Sequence, residues 1–267
     1  LGAIPEGNQA STVYEEPQKK AEIEEILKLA DLVTVSTEPL AEVMRARGVR
    51  NVRVVRNQLT ANVLPRRHRP NPAFVRILWA GSPTHKRDLA IIAGPLSRIL
   101  KRHAGKVRFT CFGERLPEAL ADCQDWIDMR KPVDFEEYHD ALADVAADFA
   151  IAPLEANDFN VSKSAIKALE YAAAGYPMLL SPVGEYPAVV ADGLPARLVE
   201  NGDWESEMER LIAMTHEDRT KLGAAGTTWV CANRCIAKTK GSQWADIAIE
   251  LMKPCPVEPK PTLKRVT

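Results

Sequence analysis

Short apolar runs, several rich in valine and isoleucine, alternate along this chain with longer amphipathic segments. That alternation is the signature of β-α units and a parallel sheet. Strands are expected over 31–37 (DLVTVST), 52–56 (VRVVR), 75–80 (VRILWA), 107–112 (VRFTCF), 147–153 (ADFAIAP) and 177–181 (PMLLS). Helices are expected over 17–30, 38–48, 87–103, 135–145, 163–174, 204–215 and 241–252.

The alternation breaks over residues 62–74 (NVLPRRHRPNPAF), where prolines and arginines replace it, and a linker is placed there. Residues 1–61 hold only two strands and two helices, too little to bury an independent core comfortably. This segment is therefore expected to lean on the second unit, residues 75–235. A helix over 236–252 and a proline-rich tail over 253–267 complete the division. The chain starts at Leu1 and not at a methionine, and the expectation is a processed or truncated product.

With 267 residues, 46% of them hydrophobic and 27% charged, the composition is that of a soluble globular protein. The net charge of -1 leaves no overall field to recruit nucleic acid or an anionic membrane. The arginines at 45, 47, 50, 53, 56, 66, 67 and 69 read either as a solvated face and hinge or as an acceptor or membrane-surface patch. Five scattered cysteines argue against a disulfide framework and for a reducing compartment. Cys231 and Cys235 lack the companions that would complete a zinc site. Since no apolar run approaches the roughly 20 residues of a membrane span, the expected location is the cytoplasm, in solution or peripheral to a membrane.

In open doubly wound sheets ligands bind beyond the carboxyl ends of the strands. The loop at 81–88 (GSPTHKRD) places Gly81, Ser82, His85 and Lys86 ahead of a helix, and backbone N–H groups beside cations make an anion site. The same residues make an ordinary turn and cap. The strand at 147–153 leads to SKSAIKALEYAAAGYP, residues 162–177, where Ser162 or Ser164 can cap a helix, Lys163 sits at its positive end and Lys167 follows one turn later. Cations there oppose the helix dipole, a penalty that a bound anion removes. Glu170 lies about two turns from Lys163 and can share its face. A carboxylate and an ammonium so placed suit a ligand with vicinal hydroxyls at one end and phosphate near by; the plainer reading is a surface helix with Lys167–Glu170 pairing. The loop at 181–190 can line the same crevice.

The dinucleotide-binding glycine fingerprint, the P-loop, the nucleophile elbow and the zinc-protease motif are all absent. Without an Asp-x-Asp element to hold magnesium, any diphosphate is expected to be neutralised by lysine, arginine and backbone N–H groups, with no metal and no cofactor.

Three blocks, ADLVTVSTEPLAEVM…VRVVRNQL, VRILWAGSPTHKRDL and ADFAIAPLEANDFNVSKSAIKALEYAAAGYPMLLSPVGEY, resemble the family 4 glycosyltransferases of the GT-B fold over about residues 14 to 252. The resemblance implies an α/β fold: a Rossmann-like parallel sheet with helices on both faces, forming the C-terminal, nucleotide-sugar domain. Residues 1–61 then look like the end of a truncated acceptor-side domain. It further implies metal-independent transfer of a sugar from a nucleotide diphosphate donor, with retention at the anomeric carbon, to a polysaccharide, lipid-linked or protein acceptor. Glu170 falls at the family glutamate that binds the ribose hydroxyls. Gly81 and Ser82 occupy the loop that approaches the phosphates, Lys86 lies near the basic residue that contacts the diphosphate, and Gly113 with Glu114 ends the next strand. Where the usual motif carries an earlier glutamate, this chain has Ser162. A subset of relatives shares the form FN..KS..K..E, in which Asn160, Lys163 and Ser164 accompany the glutamate and Lys163 contacts phosphate or sugar.

The expected enzyme is a hexosyltransferase, or the donor-binding part of one, with Lys86 and Lys163 stabilising the departing diphosphate and His85 as a further contact. The missing acceptor half is either part of a longer product or supplied by a second chain. The alternative is a degenerate transferase-like module that binds a nucleotide sugar or a partner protein without turnover.

Overall fold

The computed structural model describes residues 16–60, 70–82, 85–113, 116–236 and 243–252, without the Lys86 side chain. The expected linker falls mostly outside the described residues, as does the expected tail.

The first segment comprises helix α1 (Pro17–Leu29), strand β1 (Val33–Val35), helix α2 (Glu38–Ala46) and strand β2 (Val52–Val54). Proline opens α1, where its missing N–H costs nothing. Thr37 caps α2 by accepting the Leu40 amide. The two strands pair in parallel in a sheet of their own. Too small to bury a core, the segment leans on the larger unit: Thr37 Oγ1 donates to the Ser162 carbonyl at 2.9 Å, Asn57 Nδ2 donates to Ser164 Oγ at 2.8 Å, and Leu59 exchanges backbone hydrogen bonds with Arg234 and Ile236.

The larger unit runs β3 (Val75–Ala80), α3 (Lys86–Arg102), β4 (Val107–Phe112), a 3-10 helix (Glu118–Trp126), β5 (Ile127–Arg130), α4 (Phe135–Ala143) and β6 (Phe149–Ala152). It continues with α5 (Asp158–Val161), α6 (Ile166–Ala173), β7 (Met178–Leu180), α7 (Tyr186–Ala191), β8 (Arg197–Leu198), α8 (Trp204–Ala213) and α9 (His216–Asn233). A last helix, α10 (Gln243–Leu251), follows, and its Glu250 pairs with Arg53 of β2 at 2.7 Å. All six strands are parallel, in the order β5-β4-β3-β6-β7-β8.

Strand alternation divides the core between the two faces of this Rossmann-like sheet. Leu78, Ala80, Phe112, Ala150, Ala152 and Leu180 face α4, α6 and α9. Ile77, Trp79, Phe109, Cys111, Ile151 and Leu179 face α3, the 3-10 helix and α8.

Several elements depart from the expected ones. The edge strands β5 and β8 were not anticipated, because β5 (IDMR) has one buried residue and β8 only two residues in all. Helices α7 and α9 were missed as well. In α9 the buried positions include Arg219, Gly223 and Gly226, so no apolar stripe marks the face it buries. Its glycines serve close approach: a Cβ on Gly223 would lie 1.8 Å from the Gly175 carbonyl, and Thr227 Oγ1 donates to the Ala172 carbonyl at 2.8 Å. The small residues that close α6 therefore admit α9 against it.

The helix expected from residue 163 starts only at Ile166. Asn157 caps the short α5 through the Asn160 amide, Ser162 ends it, and Ser162–Ala165 form a turn before α6. Neither serine caps α6. Its N-cap Ala165 instead gives its N–H to the buried Glu185 carboxylate at 2.9 Å.

Candidate functional site

In this strand order the chain leaves β3 toward β4 on one side and reaches β6 on the other, which makes the β3–β6 boundary the topological switch point. The two strands pair only at Ile77–Phe149 and Leu78–Ala150. Beyond that they part, and Tyr171 of α6 fills the gap. Its hydroxyl accepts the Ala80 amide at 2.9 Å and approaches the Ile151 carbonyl at 3.4 Å. This anchor sets α6 at the mouth of the switch point, with Lys167 and Glu170 one turn and one residue away.

Two glycines shape the floor. A Cβ on Gly81 would meet two carbons of the buried Trp79 ring at 2.7 Å and the Lys167 ammonium at 3.2 Å. Gly113 has a φ of 97° and lies so close to Gly81 that a Cβ would sit 2.7 Å from the Gly81 carbonyl. The Ser82 carbonyl accepts the His85 amide, which closes the turn into α3.

Asp88, in the first turn of α3, joins the parts of the site. Its Oδ1 accepts the Asn160 side-chain amide at 2.7 Å and the Glu155 backbone amide at 2.9 Å. Its Oδ2 lies 2.7 Å from His85 Nδ1 and 3.7 Å from Lys163 Nζ. Burial works to raise the Asp88 carboxyl, but the His85 hydrogen bond, the Glu155 amide and Lys163 together hold it below its usual range. Burial and the Lys167 charge push His85 down to about 4, so its imidazole is neutral near pH 7. The proton then sits on Nδ1, facing a carboxylate that can only accept. Lys163 Nζ, 3.3 Å from that nitrogen, is held by Asp88 and by the Phe159 ring 4.7 Å away.

Lys167 carries a buried ammonium that has no hydrogen-bond partner among the described residues, and its nitrogen lies 5.0 Å from the Trp79 ring centre. Burial pushes its pKa down to about 8, against the attraction of Asp88 and Glu170. Burial also pushes Glu170 up to about 7, although Lys167 and the Tyr138 hydrogen bond favour its ionised form. Tyr138 donates to Glu170 Oε2 at 3.3 Å; His139 Nε2 stands 3.7 Å from Oε1, too far for a hydrogen bond. Buried polar atoms are ordinarily satisfied. Here Asn160 Oδ1, Lys167 Nζ and His139 Nε2 all lack hydrogen-bond partners among the described residues, and they gather around Asp88 and Glu170.

Of the residues expected in the site, the structure brings Gly81, Ser82, His85, Gly113, Asn160, Lys163 and Glu170 to the carboxyl ends of β3, β4 and β6. Ser162 and Ser164 are turned to another use, since they hold Thr37 and Asn57 of the first segment. Glu114 and the Lys86 side chain lie outside the described residues. Sequence reasoning passed over Asp88, Tyr138, His139 and Tyr171. Asp88 is three residues after His85, a spacing that juxtaposes side chains at a helix start, and this was the available signal. Nothing local marked the residues from α4.

The architecture recurs in solved structures. The chain aligns with WaaG, a glycosyltransferase involved in lipopolysaccharide biosynthesis, at a TM-score of 0.64 and 12% identity, covering 91% of this chain and 70% of that one. Anabaena Alr3699/HepE, solved with UDP and glucose, aligns at a TM-score of 0.66 and 12% identity over 89% and 68% of the two chains. Sucrose-phosphate synthase from Thermosynechococcus elongatus aligns at 0.58 and 17% identity over 90% of this chain and 63% of that one. This chain thus spans about half to two thirds of the length of several of the structures it matches. No curated protein sequence matches it. The family model described as glycosyl transferases group 1 matches residues 75–218. Matched over more than half its length, from the first strand of the large sheet into α9, this chain belongs to the group 1 glycosyl transferases.

Proposed function

We propose that the crevice holds a nucleotide diphosphate sugar and that the whole protein transfers the sugar, a hexose, to a glycan, lipid-linked or protein acceptor. The observation that carries this reading is the gathering of one carboxylate, Glu170, with the ammoniums of Lys167 and Lys163 at the switch point, where three buried polar atoms lack hydrogen-bond partners among the described residues. Glu170 accepts from the ribose hydroxyls. Gly81 and Gly113 allow the phosphates to approach the backbone closely, and Lys163 neutralises them as charge develops on the leaving group. In the transfer the bond from the anomeric carbon to the diphosphate oxygen breaks. The acceptor oxygen bonds to that carbon on the same face, and its proton departs with the nucleoside diphosphate. Lysine cations in the crevice support a reaction that needs no metal.

A second reading is favoured by Ser162. With its side chain on the Asp158 carbonyl and its own carbonyl on Thr37, it supplies no carboxylate to a sugar. On that reading the chain binds a nucleotide sugar without turnover.

Calorimetric titration of UDP, GDP and ADP in the presence of a chelator tests the shared premise. One of the three is expected to bind the wild type and to be lost in Glu170→Ala. Failure of a folded wild type to bind any of them contradicts both readings. Release of the diphosphate from its sugar donor in the presence of acceptor extracts separates the enzyme from the binding module.

A further inference from the structure

We infer that Lys167, presented by the same helix as Glu170, is a diphosphate-contacting residue of this site; the inference rests on the nucleotide reading above. Its Nζ has less than 1 Å² of exposed surface and no hydrogen-bond partner among the described residues, so what is exposed of the residue is its stem and backbone. An ammonium held this way is unfavourable in the free protein, because its donors are unmet among the described residues and the Trp79 ring face, with the attraction of Asp88 and Glu170, compensates only in part. Such a group is retained at a stability cost where a ligand completes it.

The geometry names the ligand chemistry. Lys167 Nζ lies 3.2 Å from the point where a Gly81 Cβ would stand, so it abuts the glycine that opens the loop after β3 and a side chain there would crowd it. Along α6 it is three residues before Glu170, hence on the same face. Asp88, Lys163 and His85 are close enough for their charges to act on one another and on Lys167. An anion centred over Gly81 therefore meets Lys167 directly and Lys163 next. A ribose at Glu170 places its 5′-phosphates along that line. The flexible lysine stem lets the ammonium swing out to a phosphate oxygen without moving the helix. The penalty that Lys163 and Lys167 impose on the amino end of α6 and its preceding turn is relieved by the same anion.

Lys167→Met keeps the length and the packing over Trp79 while removing the charge. Relative to wild type it is expected to weaken whichever of UDP, GDP or ADP binds by about tenfold to a hundredfold, the range for a lost charged hydrogen bond. Binding of the matching nucleoside should change less than twofold, and the thermal midpoint should hold or rise. Lys167→Gln, polar and uncharged, should lose the same diphosphate affinity if the methionine variant does not fold. Undiminished diphosphate binding by either folded variant, or an equal loss of diphosphate and nucleoside, overturns the role of Lys167 and leaves the nucleotide reading intact. If wild type binds none of the three diphosphates, the reading itself falls and this inference falls with it.

Discussion

The hydroxyl of Tyr171 accepts the Ala80 amide at 2.9 Å, at the point where β3 and β6 cease to pair. A single phenol thus replaces a sheet hydrogen bond and fixes the helix that carries Lys167 and Glu170. Tyr171→Phe leaves that amide buried and unmet, which is expected to destabilise the fold by about 1–3 kcal/mol. It should also weaken nucleotide binding through displacement of α6. Urea melts and titration of the variant check both effects; a loss of stability without any loss of affinity would separate the anchor from the site.

Gly81 and Gly94 make different demands. At Gly81 a methyl group would collide with the packed Trp79 ring at 2.7 Å, and Gly81→Ala is expected to cost about 1–3 kcal/mol together with affinity for a diphosphate. At Gly94, inside α3, the nearest atom to an added Cβ apart from its chain neighbours and the helix's own backbone is the exposed Arg98 guanidinium at 3.6 Å. Because Pro95 follows and disfavours helical backbone in any residue with a Cβ, the usual helix gain is offset, and Gly94→Ala should change stability by less than about 1 kcal/mol and leave binding unchanged. Thermal melts of the two variants with and without nucleotide make the comparison.

Glu170 and His85 give opposing pH dependences. The Glu170 carboxyl, pushed up to about 7 by burial, contributes stability below its ordinary 4.5 and loses it as the pH rises through 7. His85, pushed down to about 4, contributes stability above its ordinary 6.5 and loses it as the pH falls through 4. The trends overlap between pH 4.5 and 6.5, so in wild type they largely cancel. In Glu170→Gln the histidine trend stands alone, and unfolding free energy should climb across that interval by an amount on the order of 2–3 kcal/mol. Denaturation at half-unit pH steps reads the slope; identical slopes in wild type and variant would remove the buried carboxyl from the account.

How far the fold could be read in advance followed burial. Strands such as VRILWA and VRFTCF, covered on both faces, are continuous apolar runs, and they fall at Val75–Ala80 and Val107–Phe112 as expected. The edge strand IDMR presents one buried residue and gives no such run. Helix α9 binds through glycine-to-backbone contact rather than through an apolar stripe, so periodicity is silent about it. At the site, Glu170 and Lys163 stood out by type and spacing, and the structure places both beside the switch point, Lys163 against Asp88 and Glu170 against Tyr138. Asp88 did not stand out, because its role comes from Asn160 and the Glu155 amide, which lie more than sixty residues away. The extended helix read from residue 163 failed for a mostly distant reason as well: the Ser162 carbonyl and the Ser164 hydroxyl accept from Thr37 and Asn57 of the first segment, while the Ser162 hydroxyl donates to the nearby Asp158 carbonyl.

The central claim is that Glu170 holds the ribose of a nucleoside diphosphate. The most direct measurement titrates the nucleotide that binds, and its 2′,3′-dideoxy analogue, into wild type and into Glu170→Ala. The account predicts that loss of the two hydroxyls weakens binding to wild type by about tenfold or more, while Glu170→Ala binds both ligands alike. If Glu170→Ala still prefers the ribose form to the same degree as wild type, the hydroxyls are held elsewhere and the assignment of this site is wrong.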